Sequence, residues 1–147
     1  MNTLDLVREF HDAFNVKTPD QPTIHDSEIN KLRHRLIDEE LNELTDAMVR
    51  CDIVGCLDAL TDLQYVIDGT YLALGLAKYK DGAFAEVHRS NMSKLGADGR
   101  PIIRDDGKVL KGPNYTPPNL ASVLFGEIPP CSHIFLEDST ICEICGA

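Results

Sequence analysis

The stretch Ile53-Val54-Gly55-Cys56-Leu57-Asp58-Ala59-Leu60-Thr61-Asp62-Leu63-Gln64-Tyr65-Val66-Ile67-Asp68 decides how this chain folds. Val54, Leu57, Leu60, Leu63, Val66 and Ile67 recur at helical spacing, and the apolar pattern continues to about Leu76 with Gly55 and Gly69 as weak points. Asp58, Asp62, Gln64 and Asp68 interrupt it. A lipid-facing span would not tolerate those groups unpaired, so the segment is expected to be the central helix of a soluble bundle. Upstream, Ile29, Leu32, Leu36, Leu44, Ala47 and Met48 predict a long helix from Asp26 or Ser27 to about Arg50, with a break near Cys51-Asp52. Further upstream, Asn2 or Thr3 caps a first helix carrying Leu6, Val7, Phe10, Ala13 and Phe14, and Pro19 and Pro22 make Val16 to His25 a loop. Downstream, Asp81 caps a fourth helix through Phe84 and Val87 that closes near Gly96.

Residues 96–120 change character, because Gly96, Gly99, Pro101, Gly107, Gly112, Pro113, Pro117 and Pro118 crowd into them. Ile102-Ile103 and Val109-Leu110, separated by Asp105-Asp106-Gly107, predict one small hairpin within an otherwise ordered, bundle-wrapping arm. A second change follows Pro129-Pro130. The expected architecture is therefore all-α: a four-helix bundle domain with a Gly/Pro-rich arm over residues 1–126, and a small Cys-rich tail over 127–147. The length of 147 residues suits one domain, and 43% hydrophobic with 26% charged residues suits a packed core.

Lys and Arg number 14 against 24 Asp and Glu, a formal net charge of −10. A field of that sign repels phosphate backbones, so no nucleic-acid partner is expected, and handling of phosphates calls for divalent cations between the two. The start Met1-Asn2-Thr3-Leu4-Asp5 lacks the basic and apolar regions of a secretory signal, which together with the interrupted apolar stretch leads to the expectation of a cytoplasmic protein without a membrane partner.

Glu39, Glu40 and Glu43 share one side of the second helix, and Asp58 and Asp62, four apart, pair on the third. Two long helices with a short connection pack antiparallel, and that places both groups at one level. Acidic residues at such spacing commonly make a solvated face paired with Lys or Arg. Two features argue against that here: Asp58 and Asp62 lie in the most hydrophobic helix, and positions 43, 44 and 47 are Glu, Leu and Ala, so no base follows Glu39, Glu40 or Glu43 by a turn. Facing carboxylates repel unless hard cations such as Mg²⁺ or Mn²⁺ compensate. In the tail, Cys131-x-His133 and Cys142-x-x-Cys145 form a Cys₃His set suited to one structural Zn²⁺. Cys51 and Cys56 read as ordinary buried thiols, and His11, His25 and His34 as surface or loop residues.

These residues resemble the all-α nucleoside triphosphate pyrophosphohydrolases, in particular their MazG-like, phosphoribosyl-ATP-pyrophosphohydrolase-like branch. The resemblance rests on Glu40-x-x-Glu43, Asp58 to Val66, Gly69-Thr70, Ala73-Leu74-Gly75, Glu86 to Lys94 and Asp106 to Tyr115, over about residues 4–124. The superfamily's second motif is Glu-x-x-Asp; here Ala59 takes the Glu position and Asp58 stands one residue earlier. The resemblance implies metal-dependent hydrolysis of a (deoxy)nucleoside triphosphate, dGTP, GTP or dUTP among the candidates, to the monophosphate and pyrophosphate, in nucleotide-pool control. Glu40, Glu43, Asp62 and Asp58 would hold two or more Mg²⁺ or Mn²⁺ ions, and Glu39 would orient or deprotonate water. By that resemblance Asn91 and Lys94 would contact phosphates or sugar. Read from the residues themselves, Arg89 in the same cationic cluster and Lys111 beside the glycine-rich loop are further candidates for the phosphates, and Phe14 and Asn15, with stacking surface and an amide, for the base. A homodimer or dimer of dimers is implied. Phosphoribosyl-ATP hydrolysis, or a non-catalytic interaction module, are the alternatives.

Overall fold

The computed structural model describes residues 2–24 and 27–126. The described residues form α1 (Thr3–Ala13), α2 (Ser27–Val49), α3 (Ile53–Ala73), a 3-10 turn (Ala77–Tyr79), α4 (Lys80–Met92) and α5 (Leu120–Phe125), and the predicted all-α class holds. Their only β feature is a single antiparallel bridge between Ile103 and Val109, at the place of the expected hairpin. Cys131, His133, Cys142 and Cys145, with the whole tail expected to bind zinc, lie outside the described residues, as does His25.

The chain divides into two compact units, Met1–Lys80 and Asp81–Ala147. In the first, Asn2 caps α1 by accepting a hydrogen bond from the Leu4 amide at 3.1 Å. Leu4, Val7 and His11 lie on one face of α1 and are buried. Leu4 and Val7 form the core cluster with Leu72 of α3, and Tyr71 and Ala77 pack against it. His11, expected at the surface, is only 2% exposed: it continues the Leu4–Val7 stripe, and Gly69 leaves room for its ring. α3 is central, packing on both α1 and α2.

α2 and α3 are joined by Arg50, Cys51 and Asp52 alone. Cys51 has φ 55°, and Asp52 caps α3 by accepting from the Gly55 amide at 3.0 Å. That reversal exposes Cys51, and Cys56 is half-buried, so neither is the buried thiol expected. Two close approaches define the register of the pair. A methyl group built on Gly55 would lie 3.2 Å from Cβ of Ala47, and one on Gly69 would lie 3.1 Å from Nη1 of Arg33. Between these two contacts the facing positions move back fourteen residues on α2 and on fourteen on α3, so the level midway pairs Glu40 with Asp62.

α3 stops at Ala73, before the expected Leu76, because Gly75 turns left-handed at φ 66°. Gly75 also lies against the Gln21 and Pro19 carbonyls, leaving no room for a side chain, while the Thr23 amide donates to the Leu74 carbonyl at 3.0 Å. These contacts hold the loop after α1 to the end of α3. Asp68 is fully buried, with Lys80 paired to its Oδ1.

In the second unit the arm is fastened to the end of α4. The Ser90 hydroxyl donates to the Thr116 carbonyl at 2.9 Å, the Thr116 amide to the Ser93 hydroxyl at 2.9 Å, and the Gly112 amide to the Lys94 carbonyl at 2.9 Å. At the end of the expected loop stands α5, a helix not read from the sequence, started by Asn119, whose side chain accepts from the Ser122 amide at 3.1 Å. α4 begins at Lys80, directly off the 3-10 turn, one residue before the expected Asp81 cap. Among the described residues no helix is long and apolar enough to cross a membrane.

Candidate active site

The helical register brings the acidic residues of α2 and α3 to one level. Glu40 and Asp62, which it sets opposite each other, are half-buried, whereas Glu39, Glu43 and Asp58 are exposed around them. Burial first, then the charges of Asp62, Glu43, Glu39 and Asp58 in that order, push the Glu40 carboxyl above its ordinary pKa. All five candidate carboxylates therefore share one electrostatic field. None of them enters an ion pair among the described residues, whose salt bridges are Lys31–Glu28, Lys80–Asp68, Arg89–Glu86 and Arg104–Asp106.

As the side chains stand, no three His, Cys, Asp or Glu among the described residues are gathered closely enough to hold an ion. The chemistry of the donor set nevertheless fits a hard divalent cation: every candidate ligand is a carboxylate, and α2 and α3 contribute from both sides. Glu39, Glu43 and Asp58 are exposed, and such side chains exchange rotamers quickly.

Aromatic surface lies on the α1 side of α3. Phe14, 67% exposed, stacks on Phe10 with ring centroids 4.3 Å apart, and Phe10 meets Tyr65 edge-on at 5.9 Å. Asn15 follows at φ 54°, exposed, at the left-handed end of α1. Next to Tyr65, a groove of about 340 Å³ runs between α1 and α3, lined by Thr3, Leu6, Val7, Leu60, Thr61 and Gln64. Thr61 directly precedes Asp62.

The remaining candidates belong to the second unit. Arg89 is engaged there: Nε and Nη2 donate to the two Glu86 oxygens at 2.7 and 2.8 Å, Nη1 to the Thr116 hydroxyl at 2.6 Å, and Nη2 also to the Pro117 carbonyl at 3.0 Å. The guanidinium, with the Asn119 amide, draws the Glu86 carboxyl down to about 2. Arg89 thus fastens the arm to α4. Lys94 donates to Asn91 Oδ1 at 2.7 Å, and the Lys111 ammonium lies 4.2 Å from the Tyr115 ring centroid.

Sequence reasoning missed two residues of the first unit, Arg33 and His11. Arg33 stands seven residues before Glu40, on the same face of α2, and His11 seven after Leu4, on the core face of α1. Both offsets were visible, but neither residue type belongs to a carboxylate pattern.

The model of the phosphoribosyl-ATP pyrophosphohydrolase family matches residues 7–91, more than half of the chain and the whole carboxylate-bearing helix pair. A solved structure from Exiguobacterium sp. 255-15, to which NTP pyrophosphohydrolase activity has been provisionally ascribed, is 28% identical over 84% of this chain and 92% of that one, at a TM-score of 0.44. No curated protein matches. The chain belongs to the phosphoribosyl-ATP pyrophosphohydrolase family, within the MazG-like all-α NTP pyrophosphohydrolase superfamily, and is a pyrophosphohydrolase.

Proposed function

We propose that the protein hydrolyses a (deoxy)nucleoside triphosphate between its α- and β-phosphates, releasing the monophosphate and pyrophosphate in control of a nucleotide pool. The observation that carries this reading is the shared field of five carboxylates from two helices, acting on Glu40 without a cationic partner among the described residues. Glu40, Glu43 and Asp62, with Asp58 assisting, are the residues to hold Mg²⁺ or Mn²⁺. Bound there, such ions neutralise the phosphate charge and polarise the phosphorus under attack. Glu39, exposed beside Glu40, orients a water molecule and takes its proton as the new oxygen–phosphorus bond forms. The bond to the bridging oxygen breaks, and its electron pair leaves with pyrophosphate.

Phe14 and Asn15 supply stacking surface and an amide for the base, and Asn91, Lys94 and Lys111, with Arg89 already committed to Glu86, supply donors for phosphates or sugar. The exposed apolar residues of α3 support a homodimer or a dimer of dimers: Ile53, Val54, Leu57 and Leu60 are each more than half exposed. Cys131, His133, Cys142 and Cys145 are proposed to hold one structural Zn²⁺.

The family match favours phosphoribosyl-ATP as a second substrate reading. Incubation with each triphosphate, and separately with phosphoribosyl-ATP, in Mg²⁺ or Mn²⁺ tests both: pyrophosphate release from one of them is expected. It should be abolished in Glu43→Ala and Asp62→Ala. A protein that ignores Mn²⁺ and every nucleotide at millimolar concentration in calorimetry would be an interaction module instead.

A further inference from the structure

Two polar side chains of the first unit take no part in the chemistry described so far. The His11 ring is 2% exposed and its Nδ1 has no hydrogen-bond partner among the described residues; Arg33 Nε is likewise buried without one. They come from different helices to one point. A methyl group built on Gly69 would lie 3.1 Å from Arg33 Nη1 and 3.3 Å from His11 Nε2. Burial lowers the pKa of Arg33. Burial, then the Arg33 charge, lowers that of His11, against an opposing contribution from Asp12. A half-buried guanidinium whose Nε is sealed off, with no ion pair to a carboxylate among the described residues of a chain of net charge −10, is a costly arrangement unless its counter-charge comes from outside.

The place of this pair is informative. Arg33 precedes Glu40 by seven residues on α2 and Gly69 follows Asp62 by seven on α3, so the cationic point lies on the same helix pair as the carboxylates, two turns or about 10 Å along it. An extended triphosphate covers part of that distance from the scissile bond and the long arginine side chain the rest, whereas a phosphoribosyl arm can span it. A neutral nucleobase would leave the charge uncompensated, whereas a phosphate dianion matches the guanidinium fork in both charge and geometry.

We propose that Arg33 binds a phosphate group of the substrate distal to the bond that is cleaved, and that His11 is a positioning residue that holds the guanidinium over Gly69. This rests on the pyrophosphohydrolase reading of the Glu40–Asp62 level. The distal phosphate has two possible sources: the terminal phosphate of a triphosphate, or the 5-phosphate of a phosphoribosyl group.

The test compares wild type with Arg33→Gln and Arg33→Lys, each first shown by thermal melting to be folded, on a nucleoside triphosphate, the matching diphosphate, ATP and phosphoribosyl-ATP. Arg33→Gln is expected to raise KM at least tenfold for substrates that carry the distal phosphate, with kcat changed much less. Arg33→Lys, which keeps the charge and loses the fork, should fall between. Loss of the triphosphate-over-diphosphate preference assigns the terminal phosphate, and loss of the phosphoribosyl-ATP-over-ATP preference assigns the phosphoribosyl one. His11→Ala should raise KM with kcat retained, and adding it to Arg33→Gln should have no further effect. An equal loss on every substrate, or an unchanged KM, overturns the proposal. If no substrate is turned over, the catalytic reading fails and calorimetry still decides this one: tripolyphosphate, used as the probe with Mn²⁺, must bind wild type at least tenfold more tightly than Arg33→Gln, and equal binding overturns it.

Discussion

At the residue scale, Glu40 and Asp68 are two acids in opposite circumstances. Glu40 is pushed up by burial and then by four neighbouring carboxylates, so its ionised form costs stability. Folding holds its pKa above the unfolded value; the cost is absent below the unfolded pKa, grows as pH rises through the interval, and is complete above the folded pKa. Glu40→Gln removes that cost. The variant is expected to melt at a higher temperature than wild type at neutral pH, to lose that advantage as the pH is lowered, and to be inactive, which melting curves and a pyrophosphate assay check together. For Asp68, burial acts upward but hydrogen bonds from Lys80, Thr3 and Gln64 hold its pKa below the ordinary value. Its stabilisation is present above the unfolded pKa and lost as pH falls through the folded one. Lys80→Ala leaves the buried Asp68 carboxylate without its cation and is expected to cost about 3 kcal/mol in denaturant unfolding. The carboxylates of the candidate site were legible in the sequence because helical spacing is a local property. His11 was not, since its burial depends on a glycine 58 residues away on another helix.

At the element scale, the α2–α3 hairpin carries the candidate site, and its three-residue connection sets the register that brings Glu40 to Asp62. Asp52 begins α3 by capping the Gly55 amide, and a methyl group on Gly55 would meet both that carboxylate and Ala47. Asp52→Ala is expected to lower stability by about 1 kcal/mol, the usual worth of such a cap, read from the midpoint of urea unfolding. The four long helices were read correctly from periodicity, with errors confined to their ends. α3 ended early because Gly75 turned left-handed against the Gln21 and Pro19 carbonyls, a contact between distant segments. α5 escaped notice because six residues hold too little periodic pattern to stand out from a proline-rich arm.

At the scale of the whole molecule, the buried hydrophobic residues are few and small: Leu4, Val7, Leu44, Ala47, Ala59, Leu72 and Ala73 among those described. Meanwhile Ile53, Val54, Leu57 and Leu60 stay open along α3, and Met48 and Val49 at the end of α2. If a second copy covers this face, as proposed, Tm rises with protein concentration. Leu57→Glu should then shift the sedimentation mass to the monomer and lower Tm. In an isolated chain the same change at a 67% exposed position would move stability by no more than about 0.5 kcal/mol.

The sequence by itself determined the all-α class, the four long helices and the identity of the five carboxylates, because apolar periodicity, caps and i, i+4 spacing are written within a few turns of chain. Only the tertiary structure decided that Glu40 faces Asp62, that His11 and Arg33 meet over Gly69, and that Arg89 is committed to Glu86. Each of these depends on which residues of separate elements come within a few ångströms, and that is set by packing register rather than by any local pattern.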